Sequence, residues 1–147
     1  TRSEISMIQV ILGDKGSGKT KRLIDLANDA LKQEHGNIIF VDDDKRYMYD
    51  LRHEIRFVDA SEYPSVYKCD AHEFLGFLCG MLSADFDLSL IAVDAFKKLV
   101  RTDLDTDEMR DFFAQLENLS EKHHCNFVLS ISSAAEDVPE FIGKYVL

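Results

Sequence analysis

The chain has no C-x-x-C pair, no excess of basic charge, no Pro- or Gly-rich linker and no internal repeat. Nor does any apolar run approach the ~20 residues of a membrane helix. Each absence excludes something. The three cysteines, Cys69, Cys79 and Cys125, are odd in number, which argues against a disulfide framework and for reduced thiols in a cytoplasmic protein. Cys79 stands in an apolar stretch and is expected in the core. No membrane association is expected, and the opening residues carry no signal-peptide pattern. Lys and Arg number 17 against 27 Asp and Glu, a net charge of −10. Nucleic-acid binders draw much of their affinity from basic groups set against phosphates, so no nucleic-acid role is expected of this domain on its own. Without a linker, the 147 residues read as one domain over residues 7–147, with the polar residues 1–6 as a loose tail or appended remnant.

What is present is alternation. Residues 7–12 form a nearly continuous apolar run, the mark of a strand buried on both faces. From about Gly18 to about Glu34, Leu23, Leu26, Ala27, Ala30 and Leu31 recur at helical spacing. Residues 38–41 read as a second buried strand ending in Asp42, Asp43 and Asp44. Residues 55–58 read as a short strand within a mixed segment. A helix is expected over about residues 70–82, burying Phe74, Leu75, Phe77, Leu78, Met81 and Leu82. Leu88–Val93 is a further strand and ends at Asp94. Asp105 with Glu108 resembles a capping box opening a helix whose Met109, Phe112, Phe113, Leu116 and Leu119 share one face. A strand over residues 127–131 and a last one within residues 141–147 complete the pattern. Strands alternating with helices of this length predict an α/β chain: a three-layer α/β/α sandwich around a mainly parallel five-stranded sheet.

Between the first strand and the first helix stand Gly13, Asp14, Lys15, Gly16, Ser17, Gly18, Lys19 and Thr20, which fit G-x-x-x-x-G-K-S/T. The glycines let successive backbone N–H groups wrap around phosphate oxygens. The helix that follows turns its partly positive end to the same anion. The pattern points to a nucleoside triphosphate, with Lys19 reaching the β- and γ-phosphates and the Thr20 hydroxyl ligating magnesium. The apolar strand ending in Asp94 has the form of the second magnesium-binding element of such sites.

With these two elements in this order, the chain resembles a P-loop NTPase of the RecA-like branch, of the small stand-alone bacterial type, over nearly all of residues 7–147. The resemblance implies the P-loop NTPase fold, ATP and Mg2+ as ligands, the Walker A role for Gly13 to Thr20 and the Walker B role for Asp94. In that branch a catalytic Glu follows the Walker B Asp or ends the neighbouring strand. Ala95 follows Asp94 here. The duty then falls to the acidic triplet, with Asp42 or Asp43 polarising the water or an acceptor hydroxyl, unless the triplet is only a solvated loop or a helix cap. Ser132 and Ser133 stand where related ATPases sense the γ-phosphate. Among Arg46, Arg52, Arg56, Arg101 and Arg110 none is favoured as an arginine finger, which leaves a neighbouring subunit as a source.

The leading expectation is a slow magnesium-dependent ATPase or ATP-dependent switch acting through a protein partner or a homo-oligomer. The alternatives are a phosphotransferase similar to nucleoside kinases, acting on a small metabolite, and a non-catalytic nucleotide-binding module. ATP is the default because the guanine-reading N-K-x-D motif is absent. Cys69 with His72, and His123, His124 and Cys125, lack the second matching pair that a zinc site needs. The Phe-rich helix faces read as core.

Overall fold

The computed structural model describes residues 7–33 and 36–147. The expected tail over residues 1–6, and the expected end of the first helix at Glu34, lie outside the described residues.

Among the described residues five strands form: β1 (Ile8–Gly13), β2 (Asn37–Asp42), β3 (Arg56–Asp59), β4 (Leu88–Val93) and β5 (Asn126–Ser132). They build one sheet in the order β1-β5-β4-β2-β3, and every neighbouring pair is parallel. Parallel neighbours cannot be joined by a tight turn, so the connections cross the faces of the sheet. Helix α1 (Lys19–Gln33), with Leu51 and Ile55, packs on one face. Helices α2 (Ala71–Ala84), α3 (Phe96–Leu99) and α4 (Asp107–His123) pack on the other.

Burial on both faces is why the strands read as apolar runs rather than alternating ones. Successive side chains divide between the two layers. Ile38, Phe40, Leu90, Ala92 and Val128 enter the core under α1, while Val41, Ile91, Val93, Phe127 and Leu129 enter the opposite one. The second core is aromatic: Phe74, Phe96 and Phe112 meet with ring centroids 5.4–6.4 Å apart. Phe86 stands apart from this core, 95% exposed.

Several local expectations change. Helix α4 is capped by Thr106, whose Oγ1 accepts from the Met109 amide at 3.1 Å, and not by Asp105. Glu108 is turned away toward the His72 amide and Thr102. The last strand expected within residues 141–147 is a short helix, α5 (Glu140–Gly143), followed by a single bridge onto the free edge of β1. There the Val10 amide donates to the Tyr145 carbonyl and the Leu147 amide to the Val10 carbonyl, each at 2.9 Å. Packing of Phe141 and Tyr145 on Phe113 holds this end of the chain against α4. Cys79 is exposed, because one helical step carries it about 100° from the buried Leu78; Cys69 and Cys125 are the buried pair.

Helix α2 begins with a reciprocal cap: Asp70 accepts from the Glu73 amide at 2.7 Å and Glu73 accepts from the Asp70 amide at 2.9 Å. Asp70→Ala is expected to lower stability by about 1 kcal/mol in urea unfolding, the ordinary worth of an N-cap. An unchanged midpoint would show that the tertiary contacts of α2 carry its start alone.

Candidate functional site

All five strands run the same way, so their carboxyl ends share one edge of the sheet. The order of strands sets β5 between β1 and β4, with β2 on the far side of β4. Gly13, Ser132, Asp94 and Asp42 therefore follow one another along that edge. Helix α1 leaves it across one face while α2, α3 and α4 lie across the other, and a crevice at such a switch is where α/β sheets seat ligands. Alternation adds a second constraint. Asp42, Asp94 and Ser130 continue the series of β2, β4 and β5 residues that face α1. The sheet face under α1 is thus apolar along its length and polar at the end where α1 begins.

The turn from β1 into α1 is closed by the Ser17 amide donating to the Asp14 carbonyl at 3.1 Å. Gly16 and Gly18 take φ of 82° and 89°, angles that a side chain strongly disfavours. Lys19 opens α1 and is only 8% exposed. Its ammonium folds back and donates to the Asp14 carbonyl at 2.7 Å. One step on, the Thr20 hydroxyl donates to Asp94 Oδ2 at 2.8 Å. Asp94 is held from other sides as well: Ser130 Oγ donates to its Oδ1 at 2.5 Å, and its amide donates to the Val41 carbonyl at 2.8 Å. Two residues separated by 74 positions thus meet in a fixed pair.

The acidic triplet divides into three tasks. Asp42, 4% exposed, ends β2. The neighbouring register Val41↔Val93 sets it beside Asp94. Its Oδ1 accepts from the Asp43 and Asp44 amides at 2.7 and 3.2 Å. Burial, and secondly the negative charge of Asp94, push the Asp42 carboxyl up to about 8. Asp43 instead turns to Lys98, whose ammonium lies 3.2 Å from its Oδ1. Asp44 caps the 3₁₀ helix Lys45–Asp50 and grips Arg46, whose Nη2 lies 2.6 Å from its Oδ2. Hydrogen bonding to Arg46 holds the Asp44 carboxyl below its usual range.

These groups surround a cleft of about 590 Å³. Of the residues singled out from the sequence, Lys15, Gly16, Lys19, Thr20, Asp42, Asp94 and Ser132 line it. Gly13, Asp14, Ser17, Gly18 and Asp43 are outside its lining. Ser133 donates its amide to the Gly13 carbonyl at 3.2 Å and its hydroxyl to Ala134. Among the five arginines, Arg46 alone lines this cleft. Arg101 reaches the Lys68 carbonyl and Arg110 lies over the Phe141 ring.

Sequence reasoning passed over Ser130, Tyr47, Lys97 and Lys98. Ser130 had a signal: it is the one hydroxyl inside the apolar stretch of residues 127–131. The two lysines follow Asp94 within four residues, but only α3 turns them into the cleft. Lys97 donates to the Thr102 carbonyl, and burial lowers its pKa.

No protein-family model matches this chain, and no curated protein matches it. Among the described residues, no group of three or more His, Cys, Asp or Glu side chains is placed to hold a metal ion, and no helix is long and apolar enough to cross a membrane.

Proposed function

We propose that this chain is a P-loop nucleotide-binding protein that takes a nucleoside triphosphate with magnesium, ATP by default, and works as a slow ATPase or ATP-dependent switch. The observation that carries this reading is the Thr20–Asp94 hydrogen bond of 2.8 Å beside the inward-turned Lys19. A helix start, a cation and a hydroxyl–carboxylate pair then share one cleft. In this reading the amides of the loop and of the first turn of α1 bind phosphate oxygens. Lys19 exchanges the Asp14 carbonyl for the β- and γ-phosphates.

The residues fit magnesium, which keeps several waters and takes one or two protein oxygens beside those of the phosphates. Thr20 and Asp94 would supply those oxygens, and the buried Asp94 carboxylate beside Asp42 is a charge that a divalent cation would offset. Held there, the ion would neutralise charge that develops on the phosphates during transfer. Asp42 acts as the base: two amides fix one of its oxygens, and it accepts a proton from the attacking water. Ser132, which lines the same cleft, would sense the γ-phosphate. Because no Glu follows Asp94, turnover is slow. A cytoplasmic location, and a protein partner or homo-oligomer that raises the rate, belong to the same proposal.

Phosphate release from magnesium-ATP, followed across a protein concentration series, tests it. Release by the wild type that disappears in Lys19→Ala is the expected result. A higher rate per molecule at high concentration marks assembly. Release equal in the two proteins would remove the ATPase reading.

A second reading, a phosphotransferase, is favoured by one feature. The cleft runs on past the loop to Arg46, Tyr47, Lys97 and Lys98, a lining suited to an anionic second substrate. A nucleoside or sulfonucleotide that accelerates ADP formation would select this reading. Nucleotide-dependent melting without any turnover would select a non-catalytic module.

A further inference from the structure

A second cleft, of about 720 Å³, opens on the other side of the glycine loop. It shares Gly16, Lys19, Thr20 and Tyr47 with the first and adds Gly18, Lys21, Ile24, Asp25 and Asp50. Three of the shared residues belong to the loop and its helix. The fourth, Tyr47, comes from the separate 3₁₀ segment after β2 and borders both spaces.

The spaces differ in charge. The first carries five cations, Lys15, Lys19, Arg46, Lys97 and Lys98, against Asp42, Asp44 and Asp94, whereas the second sets Lys19 and Lys21 against Asp25 and Asp50. In the second, Lys21 is already paired with Asp25 at 3.3 Å, the Asp50 carboxylate adds negative charge, and Ile24 supplies an apolar floor. Polyphosphate is repelled by Asp25 and Asp50 and drawn to the first cleft. A flat, uncharged group with hydroxyl or amino donors suits the second, because carboxylates only accept.

Tyr47 is built to meet such a group. The residue is 40% exposed. The Arg46 guanidinium lies over it at 5.5 Å from the centroid. Arg46 is in turn fixed by Asp44 through Nε at 2.9 Å and Nη2 at 2.6 Å. One face of the ring is met by a held cation, and Tyr47 still lines both clefts.

We propose that this second cleft receives the nucleoside half of the triphosphate, with the base stacked on Tyr47. The inference rests on the phosphate-site reading above and names the rest of the ligand. Stacking area grows with ring size, so purine triphosphates bind more tightly than pyrimidine ones. Asp25 and Asp50 accept from the ribose hydroxyls or an exocyclic amine.

Calorimetric titration with magnesium tripolyphosphate and with magnesium-ATP separates the two halves. The wild type is expected to bind ATP roughly tenfold or more tightly than tripolyphosphate, the worth of one base–aromatic stack. In Tyr47→Ala that ratio falls toward one. Tyr47→Phe retains the ratio, since the ring face does the binding. Tripolyphosphate binding with an undiminished ATP advantage in Tyr47→Ala overturns the base site alone, as does a Tyr47→Phe protein that behaves like Tyr47→Ala. A wild type that binds neither ligand overturns the phosphate-site reading, and this inference with it.

Discussion

Lys19→Ala is expected to weaken magnesium-ATP binding by roughly 30-fold to several-thousand-fold, with little change in the stability of the nucleotide-free protein. The ammonium is nearly buried and meets a backbone carbonyl at 2.7 Å. Its removal deletes the charge on which the proposed phosphate site depends, together with one hydrogen bond to the Asp14 carbonyl. Truncating one partner of a desolvated, hydrogen-bonded charge pair costs about 2–5 kcal/mol, which sets the range. Thermal melting provides the check. At one hundred times its Kd, a ligand adds ~2.7 kcal/mol to the native state. The same ligand concentration adds about 1 kcal/mol or less when affinity has dropped 30-fold. At roughly 2–4 °C per kcal/mol for a domain of this size, the ATP-dependent shift should shrink to a third or less. Equal shifts in the two proteins would place the nucleotide elsewhere.

The second large effect is on pH. In the folded, nucleotide-free protein Asp42 keeps its proton up to about 8, against an ordinary value of 3.8. Between those values the folded state binds more protons than the unfolded one, so stability falls as pH rises. Below 3.8 both states are protonated and Asp42 contributes no slope; above about 8 both are ionised and the loss is complete. Asp42→Asn keeps an oxygen for the Asp43 and Asp44 amides but removes the ionisation. It is expected to be more stable than the wild type at pH 8.5 by on the order of a few kcal/mol, and close to it at pH 4. Urea midpoints at the two pH values, in EDTA and without nucleotide, provide the comparison. A wild-type slope that survives in Asp42→Asn would assign it to other groups. The same change should abolish ATP turnover, so stability and activity move in opposite directions at one residue.

Much of this site was legible residue by residue. The loop from Gly13 to Thr20 was found by spacing, and Asp94 by the apolar run before it. The triplet left Asp42 and Asp43 equal, and only the fold separates them: Lys98 draws Asp43 aside, while the register of β2 on β4 leaves Asp42 against Asp94. Cap identity was misread at α4 because Asp105 and Thr106 are adjacent and equally suited by type. Which of them reaches the Met109 amide depends on how the chain arrives from the preceding turn. The C-terminal residues 141–147 carry strand-like composition, but the packing of Phe141 and Tyr145 on Phe113 outweighs it.

By itself the sequence determined the kinds of element and their succession, because hydrophobic periodicity and glycine spacing are properties of short stretches of chain. Strand order is not. No local pattern states that β5 lies between β1 and β4, yet that order brings Ser130 to Asp94 and Ser132 to the cleft. The cations Lys97 and Lys98, and the ring of Tyr47, reach the loop only because α3 and the 3₁₀ segment fold back over the same edge. Contacts between residues dozens of positions apart are selected by the packing of two cores on one sheet, and that selection exists only in the tertiary structure.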